Sequence, residues 1–282
     1  MKLKAYAKIN CGLDVVRKND QGYHDLKSIF IPISLHDQIT IFPSLEMEFK
    51  CVPNFRIAPE KNTLLKMVEV CRNQFHFTQN FTIHLYKHIP SQAGLGGGSA
   101  DAAAILNYLN EFFSWNLSDQ EKINLGLKVG ADVPFCIFNQ PAVVTGIGDQ
   151  LSFFDFEPNF ELLLVQPRKG VSTQKAFEGL SIPQLVHPNI DQIQEALVHR
   201  DYPHLIQSLG NSLEDKAIQL VPEIQELKES LLKHGCDAAL MTGSGSVVMG
   251  FSQDEAILNA CMVALKGKVR FIRRTKLVVN PR

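Results

Sequence analysis

Polar and apolar residues alternate as strand-like runs over residues 2–16 and 28–42, with turn residues between them, notably Asn19-Asp20-Gln21-Gly22. From Asn62 through Cys71 the period lengthens to that of a helix, with Leu64, Leu65, Val68 and Cys71 facing inward. Phe81 to Leu85 alternates again as a strand and leads directly into a glycine-rich stretch. Behind that stretch Ala102, Ala103, Ile105, Leu106 and Leu109 recur at helical spacing. Ser118-x-x-Glu121 predicts a capping box that opens a further helix. Val143–Val144 and Leu162–Val165 read as buried strands.

A seam falls near residues 150–160, where Asp149-Gln150 and Glu157-Pro158-Asn159 interrupt the pattern. Beyond it Pro222–Lys233 is predicted helical, with Ile224, Leu227 and Leu231 on one face and Gly235 as its stop. A strand at Ala238–Met241, a loop, a strand at Val247–Phe251, a helix from Asp254 to Leu265 and a strand at Val269–Val279 follow. Strands and helices are intermixed in both halves, which predicts an α+β fold with domains at 1–155 and 156–282. No internal repeat or low-complexity segment interrupts this order.

Composition narrows the class. At 282 residues the chain makes one large or two medium domains, and 45% hydrophobic residues is ordinary for a chain with a real core. Lys and Arg number 28 against 29 acids, for a net charge of −1, which argues against a broad nucleic-acid surface. Arg270, Arg273, Arg274 and Lys276 therefore read as a solvated strand face. The six cysteines are widely spaced with no Cys-x-x-Cys, and read as buried thiols in a reducing compartment. The N-terminus is too polar for a signal peptide, and no run of 18 or more apolar residues suggests a membrane span. A cytoplasmic location is expected. The nine histidines form no ligand pattern, so no structural zinc is predicted.

The most specific chemistry lies in Ile89-Pro90-Ser91-Gln92-Ala93-Gly94-Leu95-Gly96-Gly97-Gly98-Ser99-Ala100-Asp101. Glycines that turn the chain sharply just before a helix N-terminus make an anion site, and phosphate is its usual occupant. No Lys follows the glycines, so this is not a Walker loop. Ser99 stands where a dinucleotide fingerprint needs its third glycine. Ser99 itself reads as an N-cap, or as a hydroxyl that touches phosphate or metal. The plainer alternative is a flexible loop before a buried helix.

Three further segments carry candidates. Gly130-Ala131-Asp132-Val133-Pro134 sets an acid in an apolar, turn-like context, where Asp132 is either a turn residue or a reacting group. Ala7-Lys8-Ile9-Asn10 places Lys8 in the first strand, where an exposed lysine is the bland reading. Met241-Thr242-Gly243-Ser244-Gly245-Ser246 is a tight polar turn, with two glycines and three hydroxyls. Gly22-Tyr23-His24 is an aromatic after a turn glycine, commonplace by itself.

Together these motifs resemble the galactokinase/homoserine kinase/mevalonate kinase/phosphomevalonate kinase (GHMP) family. The triple glycine followed by Ser-x-Asp-Ala-Ala resembles its branch that acts on a cytidine diphosphate-linked methylerythritol. That branch usually carries a second Ser where Ala100 stands, which leaves Ser99 as the hydroxyl closing the glycine run. The resemblance implies an N-terminal half like the second domain of ribosomal protein S5, a ferredoxin-like C-terminal half, and an active site in the cleft between them. It implies transfer of phosphate from ATP, with Mg²⁺, to the 2-hydroxyl of that small-molecule substrate, in the non-mevalonate isoprenoid precursor pathway.

Residue by residue, the resemblance makes Asp132 the catalytic base, or at least the orienter of the acceptor hydroxyl, with Lys8 beside it. An ammonium there would offset charge that develops in transfer. Pro90, Ala93, Gly94, Leu95, Gly96, Gly97, Gly98 and Ser99 correspond to the ATP loop, with Asn62 and Lys87 near the adenosine end. Asn10, Tyr23, His24, Thr173, Phe177, Gly243 and Ser244 correspond to the acceptor site. There Tyr23 and His24 meet the cytidine, and Thr173 lies near the diphosphate. Phe177 is the second aromatic of that pocket or simply core. The chain names no protein ligand for the metal. A homoserine or mevalonate kinase is the alternative, and a diphosphomevalonate decarboxylase shares the fold with a different reaction. A dead nucleotide sensor is disfavoured by Lys8 and Asp132, and an RNA-binding role by the neutral net charge.

Overall fold

A computed structural model of the chain describes residues 1–20, 22–53 and 61–279. Gln21 of the expected turn lies outside the described residues. The chain forms two compact units that are each discontinuous in sequence. The first takes Met1–Lys8, Leu35–Ile89 and Gly96–Asn139; the second takes Ile9–Ser34, Pro90–Leu95 and Gln140–Arg282.

Two long strands, β1 (Lys2–Lys18) and β2 (His24–Ser44), contribute to both. Their patterns explain their length. Ala5, Ala7, Ile9, Cys11, Leu13 and Val15 are buried at every second position of β1, as a strand with one face on a core requires. The same register in β2 buries Ile29, Ile31, Ile33, Leu35, Ile39 and Ile41. Asp37 falls in that apolar series and is equally inaccessible.

In the first unit β3 (Glu48–Val52) runs parallel to β4 (Asn80–Tyr86), which pairs antiparallel with the end of β2. Among the described residues four helices accompany them: α1 (Thr63–Phe75), α2 (Gly97–Phe112), α3 (Asp119–Leu127) and α4 (Val133–Phe138). α1 buries Leu64, Met67, Val68 and Cys71, so Met67 takes the inward place expected of Leu65, which is half-buried. α2 buries Ala102, Ala103, Ile105, Leu106 and Leu109, the expected stripe. α3 begins with the predicted capping box, Ser118 and Glu121 bonding each other's backbone. Phe75, Phe77, Phe113 and Trp115 stack with centroid separations of 4.0–5.9 Å and tie the chain beyond α1 to the chain beyond α2.

In the second unit β5 (Ala142–Gly146) pairs antiparallel with the start of β2, and β6 (Gln150–Phe153) with β5. A four-stranded antiparallel sheet is built from β7 (Glu161–Gln166), β9 (Ala238–Met241), β10 (Val248–Ser252) and β11 (Phe271–Thr275) in the order β11-β7-β10-β9. Numbered within this sheet the order is 4-1-3-2, with helices after the first and third strands, which is the ferredoxin-like arrangement. The first crossover holds α5 (Thr173–Phe177), α6 (Ile190–Val198), α7 (Tyr202–Ser208), β8 (Gly210–Asn211), α8 (Glu214–Leu220) and α9 (Glu223–Lys233). The second holds α10 (Glu255–Leu265). β8 pairs parallel with β1, Gly12 opposite Gly210. Leu163, Val165, Ile224, Leu231, Val248, Leu258 and Cys261 lie in one buried cluster of this unit.

Two expectations are revised here. β11 ends at Thr275, short of the predicted Val279, because the chain leaves that sheet to pair with β2. Ser34 N–H donates to Lys276 O, and Val278 N–H to Pro32 O. The basic run is also more engaged than a solvated face: Arg274 pairs with Glu161 and Glu255, Lys276 with Glu161, and Arg270 donates to Ser91 Oγ. Five cysteines are buried and Cys51 is half-buried. Burial pushes the Cys11 and Cys71 thiols up to about 12, which makes them unreactive.

Candidate active site

The glycine run enters α2 without a side-chain cap. Gly96 is its N-cap, in a left-handed conformation at φ 67°, and has no side chain to cap the first N–H groups. Ser99 is therefore the third residue of the helix rather than its cap. The N–H groups of Gly97, Gly98 and Ser99 open this sixteen-residue helix with its dipole behind them, as an anion site requires. Thr63 steadies the turn by donating to Gly98 O at 2.6 Å.

Gly96 is needed for a second reason. A Cβ there would lie 3.1 Å from Lys8 Cγ, 3.2 Å from Lys8 Cε and 3.7 Å from Asp132 Oδ2. The glycine thus rests directly on the pair that the sequence reading singled out. Lys8 is only 4% exposed, not an exposed strand lysine, and its Nζ lies 3.3 Å from Asp132 Oδ2. Asp132 precedes α4 as its N-cap residue but makes no capping bond. Its side chain turns toward Lys8 instead and stays 34% exposed. The buried member of the pair is the lysine, while the carboxylate keeps a face open.

Lys87, expected near the adenosine end, sits behind the same turn. Its Nζ donates to Asp101 Oδ2 at 2.6 Å and to Asp37 Oδ2. Asp37 also accepts from Ile89 N–H at 2.8 Å and from His88 N–H. A Cβ on Gly97 would approach Lys87 Nζ to 3.5 Å and Ile89 Cγ2 to 2.9 Å. Burial, and then the charge of Asp37, push the Asp101 carboxyl up against the opposing pull of Lys87. The glycine motif includes Asp101, but the sequence gives neither acid a role. The signal was there: each occupies an inward position of an otherwise apolar strand or helix face, which a carboxylate takes only with a partner. Asn62 caps α1, accepting from Leu64 and Leu65 N–H.

The remaining candidates gather in the second unit. Asn10 is buried, donates its Nδ2 to Ser28 Oγ and its backbone N–H to Thr242 Oγ1, both at 2.9 Å. The turn after β9 packs on the first part of the glycine-rich stretch. Ser246 N–H donates to Gln92 O at 3.2 Å, and Val247 N–H to Ala93 O at 3.3 Å. A Cβ on Gly94, whose φ is 73°, would fall 2.1 Å from Thr242 O, so only glycine allows this approach. Ser244 Oγ lies 2.9 Å from Thr173 Oγ1 at the start of α5. Phe177, at the other end of α5, has its ring 5.3 Å from that of His24 and also packs on the core. Tyr23 beside it is 61% exposed. Burial, and then Lys18, hold the His24 imidazole below its ordinary range, which favours the neutral ring. In the sequence Thr242 is one of three hydroxyls in a polar turn; its partner, the Asn10 N–H, shows only once the turn is packed.

An open helix N-terminus, a buried ammonium and a part-exposed carboxylate lie together here, the features that phosphoryl transfer asks of a site. The chain belongs to the GHMP kinase family: residues 62–146 match the GHMP kinases N terminal domain and residues 187–268 the GHMP kinases C terminal domain. It is thus an ATP-dependent small-molecule kinase. Within the family it is 38% identical to the 4-diphosphocytidyl-2-C-methyl-D-erythritol kinase of Lachnoclostridium phytofermentans, over 97% of each chain. A crystal structure of 4-(cytidine 5'-diphospho)-2C-methyl-D-erythritol kinase superposes with a TM-score of 0.83 at 28% identity, covering 99% of this chain and all of the other. Homoserine kinase from Cytophaga hutchinsonii shares the fold, with a TM-score of 0.74 at 15% identity over 98% of this chain and 95% of its own.

Proposed function

We propose that this kinase phosphorylates the 2-hydroxyl of 4-diphosphocytidyl-2-C-methyl-D-erythritol, a step of the non-mevalonate isoprenoid precursor pathway. The observation that carries the reaction is the Lys8–Asp132 pair lying under Gly96 at the open end of α2. The substrate reading is supported by near-full-length similarity to kinases of that name, and by His24 and Phe177 offering adjacent rings to a pyrimidine.

In this reading Pro90, Ala93, Gly94, Leu95 and Gly96–Ser99 hold ATP, their N–H groups meeting its phosphates. Asn62 and Lys87 lie toward its adenosine end. Asp132 orients the acceptor hydroxyl and takes its proton as the phosphoryl group is transferred to that oxygen. Lys8 offsets the negative charge that grows on the transferring group. Asn10, Thr173, Gly243 and Ser244 hold the diphosphate and acceptor end, and Tyr23, His24 and Phe177 the cytidine.

Mg²⁺ fits these residues as an ion held mainly by phosphate oxygens and water, where it would neutralise phosphate charge. Among the described residues no three His, Cys, Asp or Glu side chains gather as a metal site. The exposed face of Asp132 and the Ser99 hydroxyl are the oxygen donors this chain offers it. In sequence, we assign residues 1–155 to the ATP-binding domain and 156–282 to the C-terminal domain, the two family matches falling on either side of that cut. We also assign the protein to the cytoplasm, acting on a small molecule without nucleic acid or membrane as partner. No described helix is long and apolar enough to cross a membrane.

The test is ADP release with the cytidyl substrate, mevalonate and homoserine in parallel. Only the cytidyl substrate is expected to support turnover; turnover with another alcohol alone overturns the pocket assignment. Asp132→Asn is expected to lower kcat by roughly a hundred-fold or more while ATP binding persists. Normal turnover in that variant refutes the assigned mechanism.

A further inference from the structure

Gln166 ends β7 after four buried apolar residues, Leu162 to Val165, and is itself wholly inaccessible. Its backbone is fixed in the sheet opposite Phe271, and its carbonyl accepts from Arg270 N–H. The side chain points at two other segments. Nε2 donates to Ser91 O at 2.9 Å and to Gln92 O at 3.2 Å, and lies 3.4 Å from Ser246 Oγ. Two carbonyls facing the same atom fix the amide's orientation, because only its nitrogen can donate. Oε1 is buried and, among the described residues, has no hydrogen-bond partner. The side chain therefore acts through its donors alone.

The segments it joins matter for binding. Gln92 holds a φ of 53°, a conformation side chains rarely adopt and one that persists where surroundings over-determine it. Its carbonyl receives both Gln166 Nε2 and the Ser246 N–H. The Ser246 hydroxyl donates onward to Lys169 O at 3.0 Å. Gly170 is close enough that a Cβ on it would strike Gln92 Oε1 at 2.6 Å. Residues 91–94, 169–170 and 242–246 thus interlock around one amide.

We propose that Gln166 is a positioning residue that ties the entry of the ATP loop to the turn of the acceptor site, so that a single side chain sets the affinity for both substrates. This rests on the kinase reading above, which assigns Ala93 and Gly94 to ATP and Gly243 and Ser244 to the acceptor. Gln166 touches neither Lys8 nor Asp132, and its loss is expected in binding rather than in the chemical step.

The experiment compares Gln166→Met, which keeps length and loses the donors, with Gln166→Lys, which keeps donors and loses the idle oxygen. Steady-state kinetics and thermal melts are measured on the full chain with ATP and the cytidyl substrate. In Gln166→Met both KM values are expected to rise on the order of ten-fold, as losing buried hydrogen bonds implies, with kcat nearly unchanged. Gln166→Lys is expected to restore both. Should Gln166→Met fail to fold, Ser246→Ala removes one partner of the hub and is expected to raise the acceptor KM a few-fold at unchanged Tm. Unchanged KM values in the folded variants, a fall in kcat alone, or a folded Lys variant that behaves like Met, each overturns the proposal. Wild type serves as the control: if it ignores the cytidyl substrate, the function reading fails. Titration with a non-hydrolysable ATP analogue then still tests the Gln166 variants.

Discussion

A charged side chain on a buried face is costly unless it is paired, and this chain places Lys8, Asp37 and Asp101 in such positions. Lys8 is buried opposite the apolar series of β1 and meets a partner that remains part-exposed. Asp37, Lys87 and Asp101 form a closed group of two acids and one base. That group has a pH consequence. The Asp101 carboxyl is pushed from its ordinary 3.8 to about 8 on folding, chiefly by burial, so the folded protein binds the extra proton. The stability this contributes is complete below 3.8 and disappears as pH rises through about 8. Asp101→Asn is neutral at every pH, so melts across that window should show a flatter pH dependence and a higher Tm than wild type at the alkaline end. An unchanged slope would show that Asp101 is ionised throughout. The two acids were legible in principle, since each breaks an apolar period. The pairing of Lys8 with Asp132 was not legible from their own neighbours and was suggested only by motif resemblance, because it joins residues 124 positions apart.

Elements were read well where local rules fix them. The capping box of α3, the stop at Gly235, the apolar stripe of α2 and the strand-loop-strand around residue 244 follow from composition within one or two turns. They were misread where a distant segment decides. α2 begins at Gly97 because Gly96 must pass over Lys8, and β11 stops early because Leu277 bridges Ile33. Glycine substitutions separate these two kinds of constraint. Gly179→Ala, at a φ of 69° with open space around it, is expected to cost about 1 kcal/mol from backbone strain alone. Gly94→Ala must also displace Thr242 O, and is expected to cost about 3 kcal/mol or more and to raise the KM for ATP. Chemical denaturation measures the difference. Asn62→Ala removes the two bonds that cap α1 and is expected to lower stability by about 1 kcal/mol, read the same way.

For the whole molecule, the linear order of the chain and its compact units disagree. Residues 9–34 belong with residues 140–282, although they lie at the other end of the sequence. The turn residues at 149–150 and 157–159 show only where the pattern pauses; long-range strand pairing leaves no local mark. A fragment of residues 156–282 therefore lacks the strand beside β8 and the Leu13 and Val15 side chains of its core. Expressed alone, it should show no cooperative melt, and adding residues 1–155 as a separate chain should restore one. A sharp transition in the isolated fragment would show that the ferredoxin-like sheet suffices by itself.

The hydrogen bond from Asn10 N–H to Thr242 Oγ1 spans 232 positions. On the ribosome Asn10 emerges 232 residues ahead of Thr242. Synthesis at roughly 5–20 residues per second leaves this edge of β1 waiting on the order of tens of seconds for its partner. Throughout that interval the nascent chain carries an open strand end, which makes translation itself the period when this protein most needs a chaperone.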